Sequence, residues 1–191
     1  MDQPELRVLV RPPSPYRLPR RGRLDGVLRV RGGVVNRLLH FGAQQVVVRV
    51  AQPARDRVLF GAKAPSAEAA QWGIDRMRQA LGVDQDLHEF YERFRFDPLV
   101  GRSVRNDPWL RPAGRPDPFE ALAWAICEQL IEYERAAAIQ RRLVFKLGRS
   151  CPASGLRDAP SAKAISGLAP AWLESLGLSA GRASTLIRAA Q

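Results

Sequence analysis

The side chains of this 191-residue chain that could do chemistry are two thiols, a few aromatic rings and an excess of guanidinium groups. Cys127 and Cys151 lie far apart and outside any metal-ligand spacing, so they read as reduced, unpaired thiols, and neither a metal nor a cofactor is expected. Tyr16, Trp109, Trp124 and Tyr133 are electron-rich rings on which a cationic ligand could stack. Trp124 falls with Phe119 in a helical pattern and reads as core, which leaves Tyr16, among prolines, as the ring freest to line a pocket.

The guanidinium groups say more. Lys and Arg number 30 against 19 Asp and Glu, for a net charge of +11, and only Lys63, Lys146 and Lys163 are lysines. Residues 1–60 hold 12 arginines and four acids (Asp2, Glu5, Asp25, Asp56), net +8; the remaining 18 basic and 15 acidic residues give net +3. A polyanion is the expected partner, although such a field also serves solubility or an acidic protein. The longest apolar runs, Val46–Val48 and Ala121–Ile126, fall far short of the ~20 residues that cross a bilayer. Asp2, Glu5 and several prolines replace a secretory leader at the N-terminus, so a cytoplasmic, monomeric protein with no membrane contact is expected.

The elements that position these groups follow from periodicity. Pro12, Pro13, Pro15 and Pro19 keep the first twenty residues from forming a central strand or a helix interior, and they read as an extended lead-in. Leu24–Val30, Val34–Leu39, Val46–Ala51 and Val58–Phe60 are short β-branched runs separated by Gly32-Gly33, Gly42 and Pro53, which predicts a small antiparallel sheet. After Pro65 the period becomes helical: Ser66 caps, Ala67, Ala70, Ile74, Met77 and Leu81 form a stripe, and Gly82 stops it. The expected fold is α+β, with a strand-rich unit over residues 1–82 and a helical unit over 83–191 in which everything is helix or loop.

In that second unit Asp84 is the expected cap of a helix carrying Leu87, Phe90, Tyr91 and Phe94. Residues 98–118 form a proline-rich linker whose Trp109 and Leu110 tuck between helices. Asp117-Pro118-Phe119-Glu120 is the strongest helix start, combining a carboxylate cap, a proline in the first turn and a capping-box glutamate. Phe119, Leu122, Ala123, Ile126 and Leu130 form the buried stripe of that helix. Ala136, Ile139, Leu143 and Leu147 do so for the next, closed by Gly148. Short helices near Ser161–Ser166 and Pro170–Leu176 follow, and Ser179 opens a last helix whose Leu186 and Ile187 have no partner helix after them, which reads as an incomplete domain.

The segment DPFEALAWAICEQLIEYERAAAIQRRLVFKLG, starting at Asp117, resembles the helix pair of helix-hairpin-helix DNA glycosylases of the 3-methyladenine DNA glycosylase II type. LESLGLSAGRASTLIRAAQ, from Leu173 to Gln191, is similar to a later part of the same family, and residues 20–82 fit its strand-rich first domain in order and length. The resemblance implies base excision repair: a damaged, usually alkylated, base is rotated out of double-stranded DNA and its N-glycosidic bond is hydrolysed. It implies that Leu130 fills the vacated space and that Gln129 contacts DNA. A leucine here also continues the Ile126 stripe, and an amide at a helix end can simply cap it, so both readings stay open. Tyr16 becomes a candidate wall of the pocket for a cationic base.

Two departures from the family pattern matter. The small residue before the glutamine and the serine three after it are here Glu128 and Glu132, with Glu134 nearby, and carboxylates beside DNA repel phosphates. They could pair with Arg135, Arg141 or Arg142, or one could cap the following helix. The resemblance also implies that the hairpin and the catalytic aspartate lie beyond Gln191. Asp158 and Glu174 read as solvated and make poor substitutes, and no carboxylate pair beside an apolar pocket is visible. A non-catalytic DNA-binding module and an unrelated basic RNA-binding protein remain alternatives, the latter without the paired strand aromatics of a stacking platform.

Overall fold

A computed structural model describes residues 5–112 and 114–191. Alternation of apolar and polar residues builds five strands, β1 (Glu5–Val10), β2 (Leu28–Arg31), β3 (Val34–Phe41), β4 (Gln44–Ala54) and β5 (Arg57–Lys63). They form one antiparallel sheet in the order β1-β5-β4-β3-β2. The prolines from Pro12 onward do exclude a central strand, but the six residues before them pair with β5 at the sheet edge. The lead-in is therefore extended only from Arg11 on. An edge strand is the place where a proline just after the last paired residue is tolerated.

One face of the sheet carries Val35, Leu39, Val46, Val48, Val50, Val58 and Phe60, all buried beneath helix α1 (Ala67–Leu81). Ser66 caps α1 by accepting from the Ala69 N–H, and Gly82 ends it in the left-handed conformation, with φ of 62°. Gly73 lets the helix approach closely: a Cβ there would stand 2.5 Å from Val46 Cγ1. Asp84 caps nothing; its carboxylate pairs with Arg78, and α2 (His88–Phe94) begins at Leu87 without a side-chain cap. The proline-rich stretch contains a further short helix, α3 (Gly101–Asn106), and Leu110 is exposed rather than tucked in. Trp109 lies half-buried beneath the Arg17 guanidinium, 3.6 Å from its centroid.

A second core forms among α4 (Pro118–Glu128), α5 (Tyr133–Leu147), α6 (Ala162–Ser166), α7 (Pro170–Ser175) and α8 (Ala180–Ala190). Ala123, Ile126, Ile139, Leu143, Ile165 and Leu173 fill it. Leu186 and Ile187 belong to the same core, so the expectation that they lack a partner is corrected: α4, α6 and α7 cover them. Nor is this unit all helix and loop. Ser150–Cys151 (β6) and Leu156–Arg157 (β7) form a small hairpin that packs Cys151 and Leu156 on Leu38 and Val47, on the sheet face away from α1. The runs were too short to carry a strand pattern.

A buried ionic cluster ties the helices to the sheet. Arg37 of β3, 1% exposed, places Nη2 at 2.7 Å from Glu120 of α4 and at 2.9 Å from Asp158. Arg115 joins Glu120 at 3.1 Å and Asp25 at 2.8 Å, His40 Nδ1 lies 2.8 Å from Asp158, and Trp124 Nε1 donates to Asp25. Asp117 caps α4 as expected, through the Glu120 N–H, but the Glu120 side chain turns inward to this cluster instead of closing a capping box. Asp158, expected in solvent, is 9% exposed. Arg23 is close by, and burial together with the neighbouring Arg115 holds its basicity below the usual value.

Removing one partner of a buried pair strands the other charge in low dielectric, which costs about 3–5 kcal/mol. Glu120→Ala is therefore expected to lower the melting temperature by roughly 10 °C, at 2–4 °C per kcal/mol for a chain of this size. A calorimetric shift below about 2 °C would mean that the cluster is dispensable for holding the helices to the sheet.

Candidate nucleic-acid interface

The connection between α4 and α5 is four residues long, Gln129 to Glu132. Its ends are anchored by aromatic packing: Trp124, near the end of α4, stacks on Tyr133, the first residue of α5, with centroids 5.7 Å apart and planes 22° from parallel. Arg115 covers Trp124, 4.1 Å from its centroid. Ile131 packs into the helical core, and the Arg182 side chain, from the first turn of α8, donates to the Gln129 carbonyl. Three elements thus brace one turn.

Between the anchored ends stands Leu130. It is 101% exposed and, alone among the described non-glycine residues, has a positive φ, 53°. Both facts run against the intrinsic preferences of leucine. The left-handed region costs a residue with a Cβ about 1 kcal/mol or more, and full exposure gives up the gain of burial. The stripe reading that put Leu130 in the core is corrected: α4 ends at Glu128, and the reversal at Gln129–Leu130 throws the side chain outward. Leu122, at 45% exposure, also leaves that stripe. Gln129 sits in the C-cap position with its side chain exposed.

Glu128, Glu132 and Glu134 are exposed around the turn, and none makes an ion pair among the described residues. Glu132 occupies the N-cap position of α5 without a side-chain capping bond. The arginines offered as their partners are engaged elsewhere in two cases: Arg141 donates to the Leu24 carbonyl and Arg142 to that of Leu176. Arg135 is exposed in the first turn of α5. Arg182 was missed in the sequence, where an arginine early in a helix carries no signal of its own.

Tyr16 lies elsewhere. It forms one wall of a cleft of about 980 Å³ lined also by Arg17, Leu18, Arg20, Gln52 and Trp109, to which neither Gln129 nor Leu130 contributes. Its hydroxyl donates to the Leu81 carbonyl at 3.2 Å, and Arg111 covers the ring at 5.0 Å. Burial pushes the phenol up to about 12 against a partial offset from Arg111. The ring thus helps to hold the end of α1. Asp158 is held by Arg37 and His40, Glu174 is exposed, and burial pushes the Cys127 thiol up to about 11. Among the described residues no group of His, Cys, Asp and Glu is arranged to hold a metal, and no helix is long and apolar enough to cross a membrane.

Leu130→Ala is expected to leave thermal stability within about 0.5 kcal/mol of the parent, and Leu130→Gly to raise it, because glycine adopts positive φ without strain. Thermal denaturation of the two variants decides. A loss of about 2–5 kcal/mol on truncation to alanine would return Leu130 to the core.

No protein-family model matches the chain. It is 25% identical over 130 residues to the DNA-3-methyladenine glycosylase of Bacillus subtilis (strain 168), a match covering 66% of this chain and 43% of that protein. Among solved structures, 3-methyladenine DNA-glycosylase from Archaeoglobus fulgidus superposes with a TM-score of 0.79 at 19% identity, over 96% of this chain and 66% of that one. The apo form of the Clostridium acetobutylicum 8-oxoguanine glycosylase/lyase gives 0.67 at 20% identity, over 98% and 65%. The chain thus spans less than half the length of the curated relative and about two thirds of the solved ones. It is similar in sequence to a DNA-3-methyladenine glycosylase and shares the α+β fold of the solved DNA glycosylases.

Proposed function

We propose that the chain is the DNA-engaging part of a base excision repair glycosylase that acts on alkylated bases in double-stranded DNA, as a cytoplasmic monomer. The observation that carries this reading is Leu130, an apolar side chain held in full exposure at positive φ by a braced turn. Rotating a nucleotide out of a duplex costs a few kcal/mol and leaves a gap in the stack, which an apolar wedge fills. Leu130 takes that role, and Gln129 beside it donates its amide to a base edge or a phosphodiester oxygen. Bracing by Arg182 and by the Trp124–Tyr133 stack lets the wedge enter without first being ordered, which lowers the cost of binding.

Hydrolysis then requires a carboxylate that stabilises positive charge on the sugar as the base departs. Asp158 is held by Arg37 and His40 and Glu174 is exposed, so neither is given this role, and the group is assigned to the third of the solved relatives' length that this chain does not span. Tyr16 is retained as a candidate pocket wall for a cationic base through its cleft of about 980 Å³. The reading fails for Tyr16 if Tyr16→Phe changes stability but not binding of alkylated DNA.

The 191-residue chain is expected to bind duplex DNA without sequence preference, and the affinity should fall steeply between about 50 and about 200 mM salt as phosphate counterions are released. It should excise no alkylated base, while the protein extended beyond Gln191 should. Positioning alone leaves the glycosidic barrier largely intact. Release of 3-methyladenine from methylated DNA by the chain alone would overturn the assignment of the carboxylate. In the extended protein Leu130→Ala should lower capture of the extruded nucleotide with its melting temperature unchanged, and loss of both in proportion would remove the wedge.

A further inference from the structure

The sheet face away from α1 is open over most of its width, and its register assembles a feature that no single strand displays. Arg29 pairs across to Asn36, Asn36 to Arg49, Arg49 to Gly61 and Gly61 to Arg7. These five residues form one row spanning all five strands. All five alternate with the buried residues of their strands and therefore point to the open face. With neighbouring strands about 4.8 Å apart, the three guanidinium groups recur every second strand, at intervals of about 10 Å.

The next row on the same face is apolar except at Arg31, its far end. Leu9 pairs with Leu59 and Leu59 with Ala51, and Val34 pairs with Arg31 at the far edge. Leu9 is 52% exposed, while Leu59, Ala51 and Val34 are half-buried. A depression of about 220 Å³ runs between the two rows, beside Gly61, and the Glu5 carboxylate lies at its edge between Arg7 and Arg49, 3.4 Å from where a Cβ of Gly61 would stand. Among the described residues Arg29 and Arg49 have no carboxylate partner, and Arg7 is held only by Glu5, at 3.1 Å.

The geometry points to an interaction surface for an acidic, amphipathic helix of a partner protein. On a helix, carboxylates at i, i+7 and i+14 lie on one side at intervals of about 10.5 Å, close to the spacing of the arginines. Apolar residues three or four positions from each carboxylate meet the row of Leu9, Leu59, Ala51 and Val34. A nucleic acid is the weaker fit. The row has no aromatic ring on which bases could stack, and the Leu9, Leu59, Ala51 and Val34 side chains give phosphates nothing, whereas they suit the apolar side of a helix. This inference is independent of the turn at Leu130 and stands or falls apart from it.

The test uses the whole chain and a labelled synthetic peptide of about 22 residues with glutamate at i, i+7 and i+14 and leucines flanking them. A duplex DNA is measured in parallel by fluorescence anisotropy. The double variant Arg29→Glu with Arg49→Glu is expected to weaken the peptide at least about tenfold, each reversal turning attraction into repulsion. The control Arg93→Glu with Arg102→Glu makes the same change of net charge on exposed positions of α2 and α3, outside the five-strand row, and should weaken it less than about twofold, because exposed charges that do not meet the peptide are screened. Leu9→Ser tests the apolar row without altering charge, and should weaken the peptide but not the duplex. Equal loss in both charge variants, or no binding of the peptide, overturns the proposal. Loss of the duplex with the peptide unaffected in the Arg29/Arg49 variant assigns the face to nucleic acid and overturns it as well.

Discussion

Arg37 is the group on which the arrangement of this molecule depends. A guanidinium at 1% exposure is tolerable only if carboxylates compensate it, and its two come from the start of α4 and from the loop after β7, 83 and 121 residues away in sequence. The same Nη2 takes both, leaving Nε and Nη1 without a partner among the described residues. The cluster is therefore a poor source of net stability compared with an apolar contact of the same volume, and a good source of orientation. It seats α4 against β3, and from α4 follows the position of everything at its far end. Eleven residues separate the buried Glu120 anchor from the exposed Leu130 tip if both are counted, so a tilt at one would displace the other.

The turn shows how a local conflict with preference becomes informative. A leucine in the left-handed region at full exposure is what neither folding nor solubility would choose, and it survives because Ile131, Arg182 and the Trp124–Tyr133 stack hold the chain on both sides. The exposed carboxylates around it supply the opposite bias. They oppose close approach of phosphates, so any duplex held here must be gripped by the turn and by cations farther out rather than by charge at the tip.

Much of the architecture could be read from the residues. The Ser66 and Gly82 caps, the Asp117 cap and the apolar periods of α1, α4 and α5 were all visible because each is a local matter of φ, hydrogen bonding and spacing. What escaped were outcomes of pairing across the chain. β1 alternates over only six residues before the prolines, and the edge that it pairs with, β5, lies some fifty residues later in the chain. Asp158 looked solvated because the arginine that buries it lies 121 residues earlier. Leu130 continued a helical stripe in sequence, but the helix had already ended at Glu128, and no residue-type signal marks that break in the absence of a glycine. Leu186 and Ile187 seemed unpartnered because their partners precede them in the chain.

The arginine excess must be read in the same light. Arg23, Arg111, Arg141, Arg142, Arg149 and Arg182 each donate to a backbone carbonyl distant in sequence, and Arg37 and Arg115 are committed to carboxylates. These guanidinium groups work as planar, multi-donor clamps between loops and helix ends, a use for which lysine, with one compact ammonium, is a poor substitute. A net charge of +11 thus overstates the cation supply available to a polyanion. The electrostatic field at a distance includes every charge, but counterion release on contact counts only those that meet a phosphate. Encounter with an anionic partner and affinity for it are therefore set by different subsets of the same residues, and the subset that sets affinity is the smaller one.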